Sequence, residues 1–157
     1  MSLFPDHCVE SCDDRPKIVC EENKRTYIAN NTQRKVVCKV QVDGKLICEG
    51  ARCDWAVAVV SEEGTGKALE ELFLVELKGS DINRAFEQIV GTIDVLHTNY
   101  SVTKWFARVV CAKVSTPQLN SIHYKKLERR LQLLNKSAGK TQRQLIIVKS
   151  NQLQEVL

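Results

Sequence analysis

Leu72-Phe73-Leu74-Val75-Glu76-Leu77-Lys78 is an apolar run of strand character that ends in an acid and a base separated by one residue, and Gly79 closes it. Side chains two apart on a strand share a face, so Glu76 and Lys78 should stand together while Val75 and Leu77 pack behind them. An ionisable pair beside a core is costly without a partner or a task. A second apolar run, residues 55–60, begins directly after Asp54, and two neighbouring strands would gather Asp54, Glu76 and Lys78 into one cluster. Taken alone, a Glu-x-Lys step on an edge strand is more often a solvated face.

Upstream, residues 36–42 alternate apolar and polar side chains and meet Asp43-Gly44, a two-residue turn signal, before residues 45–49 resume; this predicts a hairpin. Residues 61–67, with Gly64 and Gly66, read as a flexible turn between the two central strands. After Gly79, Ser80 or Asp81 can cap a helix to about His97, with Ile82, Ala85, Phe86, Ile89, Ile93 and Leu96 at helical spacing. Arg84 and Gln88 lie one turn apart at the margin of that stripe, either leaning toward the strand ends or facing solvent. Residues 104–114 form another buried strand; Pro117 breaks the pattern, and residues 119–135 read as a basic helix with Ile122, Leu127, Leu131 and Leu134 inward. Ser137-Ala138-Gly139-Lys140 is expected to link it to a last strand at residues 145–148. Residues 1–16 look like a loose lead-in, residues 17–20 and 25–29 are short extended pieces of ambiguous type, and the final residues carry no signal. The order hairpin, strand, strand, helix, strand implies an α/β (α+β) domain with a central mixed sheet flanked by helices.

With 157 residues, 43% of them hydrophobic, the chain suits a single domain over residues 1–157. No apolar run reaches the roughly 20 residues that span a bilayer, and the N-terminus lacks the basic start and apolar stretch of a signal peptide, so a cytoplasmic, intracellular protein without membrane contact is expected. The net charge of +4 is mild but uneven: Lys125, Lys126, Arg129, Arg130, Lys136, Lys140 and Arg143 crowd one late region. That asymmetry suits a polyanion, and equally a solvated helix face. Seven cysteines form no Cys-x-x-Cys pair and leave one over, which argues against a disulfide framework; Cys38, Cys48, Cys53 and Cys111 read as small buried hydrophobes. His7, His97 and His123 are scattered, which gives no support to a histidine-based hydrolase or zinc site.

The stretch Arg52-Cys53-Asp54-Trp55, the strand after it, residues 73–81 and the helix holding Gln88 together resemble the PD-(D/E)XK nuclease superfamily, the restriction-endonuclease-like fold, over about residues 36–114. The resemblance implies that Asp54, Glu76 and Lys78 are catalytic with Gln88 as a fourth member. It further implies that Asp54, Glu76 and the Leu77 carbonyl hold Mg²⁺ or Mn²⁺, and that Glu21 or Glu22 is a candidate extra acid. No Pro precedes Asp54, and Thr92 stands where some subfamilies carry a Tyr. Carboxylates suit hard divalent cations, and such a cation can supply activated water and charge neutralisation for phosphodiester hydrolysis. The expected function is therefore a metal-dependent endo- or exodeoxyribonuclease acting on DNA more than RNA. Arg84 and the basic region at residues 118–157, through Lys125, Lys126, Arg129 and Arg130, would bind nucleic acid, with a homodimer or protein partner supplying further specificity. The alternative is a catalytically inactive nucleic-acid- or protein-binding module that keeps the fold.

Overall fold

The computed structural model describes residues 3–63, 66–139 and 142–157. Its elements are β1 (Val9–Asp13), β2 (Lys17–Glu22), β3 (Arg25–Asn30), β4 (Val36–Gln41), β5 (Trp55–Glu63), β6 (Gly66–Leu77), α1 (Ile82–Asn99), β7 (Val102–Cys111), α2 (Thr116–Leu119), α3 (Ile122–Leu134), β8 (Ile146–Ser150) and β9 (Gln152–Val156). A six-stranded sheet has the order β1-β4-β5-β6-β7-β8, and a three-stranded sheet has the order β2-β3-β9. The central sheet is mixed: β4, β5 and β6 form an antiparallel meander, while β7 is parallel to β6 and β8 to β7. The expected α+β class and mixed sheet are present.

Strand periodicity sorts the core into two layers. On β6 the even residues Leu72 and Leu74 join Ala56, Ala58 and Ala107 under Ile82, Ala85, Phe86, Ile89 and Ile93 of α1. The odd residues Phe73, Val75 and Leu77 join Val57, Val59 and Phe106 under Ile18, Tyr27 and Leu153 of the small sheet. Both faces of β5 and β6 are thus covered, which explains their nearly continuous apolar sequence. The helices pack on the sheet as expected, and α1 and α3 both lie on one face. Two crossovers of one hand, stepping in the same direction from β6 to β7 to β8, place their helices together. The pairs His123–Glu87 and Arg130–Asp94 align α3 parallel to α1.

Several local expectations are corrected. Residues 9–13 are not lead-in but the edge strand β1 paired with β4, and Cys12 faces Cys38 across that pair and is bonded to it, so Cys38 is not a reduced hydrophobe. Residues 45–49 form no strand; after Gly44, whose φ of 75° glycine tolerates, the chain makes turns and one bridge between Asp43 and Ile47. The turn expected at residues 61–67 is mostly strand, since β5 runs to Glu63 and β6 starts at Gly66; Gly64 lies outside the described residues. Ile122 is 77% exposed, whereas Leu127 and Leu131 are buried as expected. The final residues form β9, parallel to β3.

That last strand is held by charge. Arg108 on β7 is fully buried between the sheets and donates to Glu155 on β9 at 2.6 and 3.2 Å, its guanidinium near the rings of Phe73 and Phe106. Arg143, expected among the nucleic-acid cations, instead meets Glu155 at 3.2 Å and Glu71 at 3.6 Å, and Tyr27 donates to Glu155 at 2.8 Å. Removing one member of a buried pair leaves the other charge stranded. Glu155→Ala should therefore lower the unfolding free energy by about 3–5 kcal/mol in urea titration, and a loss under about 1 kcal/mol would show that Arg108 finds other compensation.

Candidate metal and catalytic site

Antiparallel register puts Trp55 opposite Val75, so Asp54 at the start of β5 falls opposite Glu76 at the end of β6. Asp54 Oδ2 accepts a 2.8 Å hydrogen bond from the Leu77 amide, which fixes the carboxylate against the strand end and leaves its other oxygen outside that bond. The main chain is fixed as well: Asp54 carbonyl accepts from the Val42 and Asp43 amides, and Lys78 amide donates to the Val110 carbonyl at 2.8 Å. Glu76 points to the helix-covered face, 2% exposed, with Oε2 buried and unpartnered. Lys78, half-buried just beyond β6, lies close enough to act on Glu76 electrostatically. The structure thus brings Asp54, Glu76 and Lys78 together.

The electrostatics of this group are unbalanced. Burial, then the hydrogen bond and charge of Asp54, push the Glu76 carboxyl up to about 10, with Lys78 pulling the other way and Glu22 adding to the rise. Glu22, at the end of β2, is itself raised by desolvation, by the charges of Asp54 and Asp43, and by a hydrogen bond to Asp54. Of the two early acids considered, Glu22 is the one drawn to the cluster, and it arrives on a strand of the small sheet. Only the tertiary fold makes this visible, because residues 17–22 carry no spacing relation to Asp54 or Glu76.

Gln88 and Arg84 do not join the carboxylates directly. They line a polar cleft of about 350 Å³ between α1 and residues 50–52, together with Asp43, Arg52 and Glu87. Gln88 Oε1 is buried without a partner. Two features missed in the sequence build this wall. Thr92 Oγ1 donates to the Gln88 carbonyl and accepts from the Cys53 amide, both at 2.8 Å, tying α1 to the residue before Asp54. Gly91 lets the helix touch the loop, since a Cβ there would sit 2.6 Å from the Ala51 carbonyl oxygen. Of the expected cations on α3, Lys125, Lys126 and Arg129 are exposed, whereas Arg130 is paired with Asp94; Lys140 lies outside the described residues.

Among the described residues no three His, Cys, Asp or Glu side chains are grouped as a ready-made metal cage. The donors present still fit a hard cation that keeps several waters and takes only one or two carboxylates. An unpartnered buried oxygen on Glu76, beside a second acid, is a group that a cation would satisfy. Comparison with known protein families, curated proteins and solved structures finds no match to this chain.

A carboxyl whose pKa is higher folded than unfolded holds its proton more tightly in the folded state. Metal-free protein should therefore lose stability as pH climbs from the ordinary carboxylate range, 4.5, toward about 10. Glu76→Gln, a neutral isostere, should remove that loss: in EDTA its melting temperature should exceed the wild type's by several degrees at about pH 8 and match it at about pH 5. Parallel melting curves at both pH values would mean that Glu76 ionises without penalty.

Proposed function

We propose that this chain is a metal-dependent nuclease of the PD-(D/E)XK type, hydrolysing phosphodiester bonds in DNA more than in RNA. The observation that carries the reading is the convergence of Asp54, Glu76 and Lys78 where β5 begins and β6 ends, with a buried Glu76 oxygen left unpartnered. The pairing of β5 with β6, with α1 next in the chain, supports the reading, since it sets the strand that follows Asp54 beside the Glu-x-Lys strand and puts the helix carrying Gln88 after them. The cluster also lies at the carboxyl end of β6, in the parallel half of the sheet, where ligands commonly bind in α/β proteins.

Asp54, Glu76 and the Leu77 carbonyl would hold Mg²⁺ or Mn²⁺, with Glu22 as a further acid at its margin. A bound divalent cation supplies charge neutralisation at the phosphoryl oxygens and lowers the pKa of its water. Lys78 would orient or deprotonate the attacking water and face the charge that develops on the phosphate. Lys125, Lys126 and Arg129, outward on α3, would follow the phosphate backbone and give affinity without reading sequence.

Separating catalysis from binding tests this reading. Glu76→Ala should abolish Mg²⁺-dependent cleavage and leave affinity for DNA in EDTA nearly unchanged, because without a cation the buried Glu76 carboxyl keeps its proton and presents no charge to the phosphate. Lys78→Ala should slow cleavage about 10²–10⁴-fold and slightly weaken binding in EDTA, a loss that Glu76→Ala should not show. Wild-type protein that binds but cuts nothing in Mg²⁺ or Mn²⁺ would make it a binding module; cleavage unchanged in both variants would move the activity to other residues.

A further inference from the structure

We propose that the cleft between residues 50–52 and the first turns of α1 is a subsite for one unstacked nucleotide next to the scissile phosphate, with Gln88 meeting the base edge and Arg84 the adjoining phosphate. This rests on the nuclease reading and adds a substrate class to it: DNA with an unpaired nucleotide at the cut, such as an overhang, flap or single strand.

The charges lining the cleft leave one cation over. Asp43 is taken by Arg52 at 2.6 Å, and Arg52 also donates to the Gly50 carbonyl at 2.8 Å. Glu87 meets His123 Nδ1 at 3.0 Å on the side of α1 facing α3, an ion pair when the imidazole is protonated. Arg84 is exposed on the same cleft, and among the described residues its guanidinium has no ion pair or hydrogen bond. One uncommitted cation matches one phosphate, not a run of them. The remaining wall is polar and neutral, and Gln88 offers an amide whose Oε1 is buried without a partner. An amide carries donor and acceptor side by side, which is what the edge of a base presents in return. The space of about 350 Å³ lies in the range of small-molecule pockets and admits a single swung-out base.

Position and stiffness agree with this. The Asp43 amide donates to the Asp54 carbonyl at 3.4 Å, so one wall of the cleft is continuous with the candidate metal ligand. The Thr92 bridge and the Gly91–Ala51 contact hold α1 against that wall, so the subsite is formed before substrate arrives.

The test measures two things on short DNAs that differ only in the nucleotide beside the cut, paired or unpaired, with each of the four bases. Cleavage in Mn²⁺ is read for the wild type, and equilibrium binding in EDTA for Glu76→Gln with and without changes in the cleft. Unpaired substrates should be favoured, with about tenfold spread among bases. Gln88→Leu should flatten that spread, and Gln88→Glu should shift it toward bases presenting an amino group. Arg84→Ala should weaken all bases alike. Melting curves identify any variant that fails to fold, and Gln88→Glu, nearly isosteric, then carries the comparison. A base profile unchanged by either Gln88 variant, or paired DNA handled as well as unpaired, overturns the subsite while cleavage by the wild type keeps the nuclease reading. A wild type that neither binds nor cuts any of these DNAs overturns both.

Discussion

The register of β5 on β6 is the constraint on which the rest depends. Because Trp55 sits opposite Val75, the residue before β5 meets the residue at the end of β6, and two acids far apart in the chain become neighbours. A slip of one residue would turn Glu76 to the small sheet and Leu77 to the helices. The apolar pattern forbids that slip, since Leu72 and Leu74 are needed under α1 while Phe73 and Val75 are needed under Tyr27 and Leu153. The hydrogen bond from the Leu77 amide to Asp54 then locks the end of the pair.

Two ionisable groups of opposite character lie on this sheet, and their contrast marks the candidate site. Between the sheets, Arg108, Glu155, Arg143, Glu71 and Tyr27 satisfy one another. Such a network ties β9 to the central sheet and asks for nothing more. At the strand ends, Glu76, Asp54 and Glu22 repel each other with Lys78 as the near cation, and Glu76 keeps a buried oxygen unused. A fold that tolerates this cluster while balancing the other has an arrangement that a bound cation would complete.

Much of this was legible in the sequence because it is periodic. The strand at residues 55–60, the Glu-x-Lys strand as far as Leu77 and the stripe of α1 follow from spacing. What escaped was non-local or weakly patterned. β1 alternates too few apolar residues to stand out from a polar lead-in, and β9 shows its meaning only through Glu155 meeting Arg108. Arg143 and Arg130 look like surface cations in the sequence, but acids distant in the chain claim both. Residues 45–49 have strand composition, yet the chain there folds back on residues 41–43 and forms only an isolated bridge. Gly91 and the role of Thr92 have no local signal at all, and Glu22, a candidate by position alone, is separated from Glu21 only by what the fold sets against it.

The central claim is that Asp54 and Glu76 together hold one divalent cation. Titration of metal-free protein with Mn²⁺, followed by calorimetry or by loss of the free-ion electron paramagnetic resonance signal, addresses it without recourse to any substrate. One site per chain, lost in both Asp54→Asn and Glu76→Gln while the variants remain folded, is the expected result. Mn²⁺ binding that survives both substitutions, or that is absent from the wild type at millimolar metal, would contradict it.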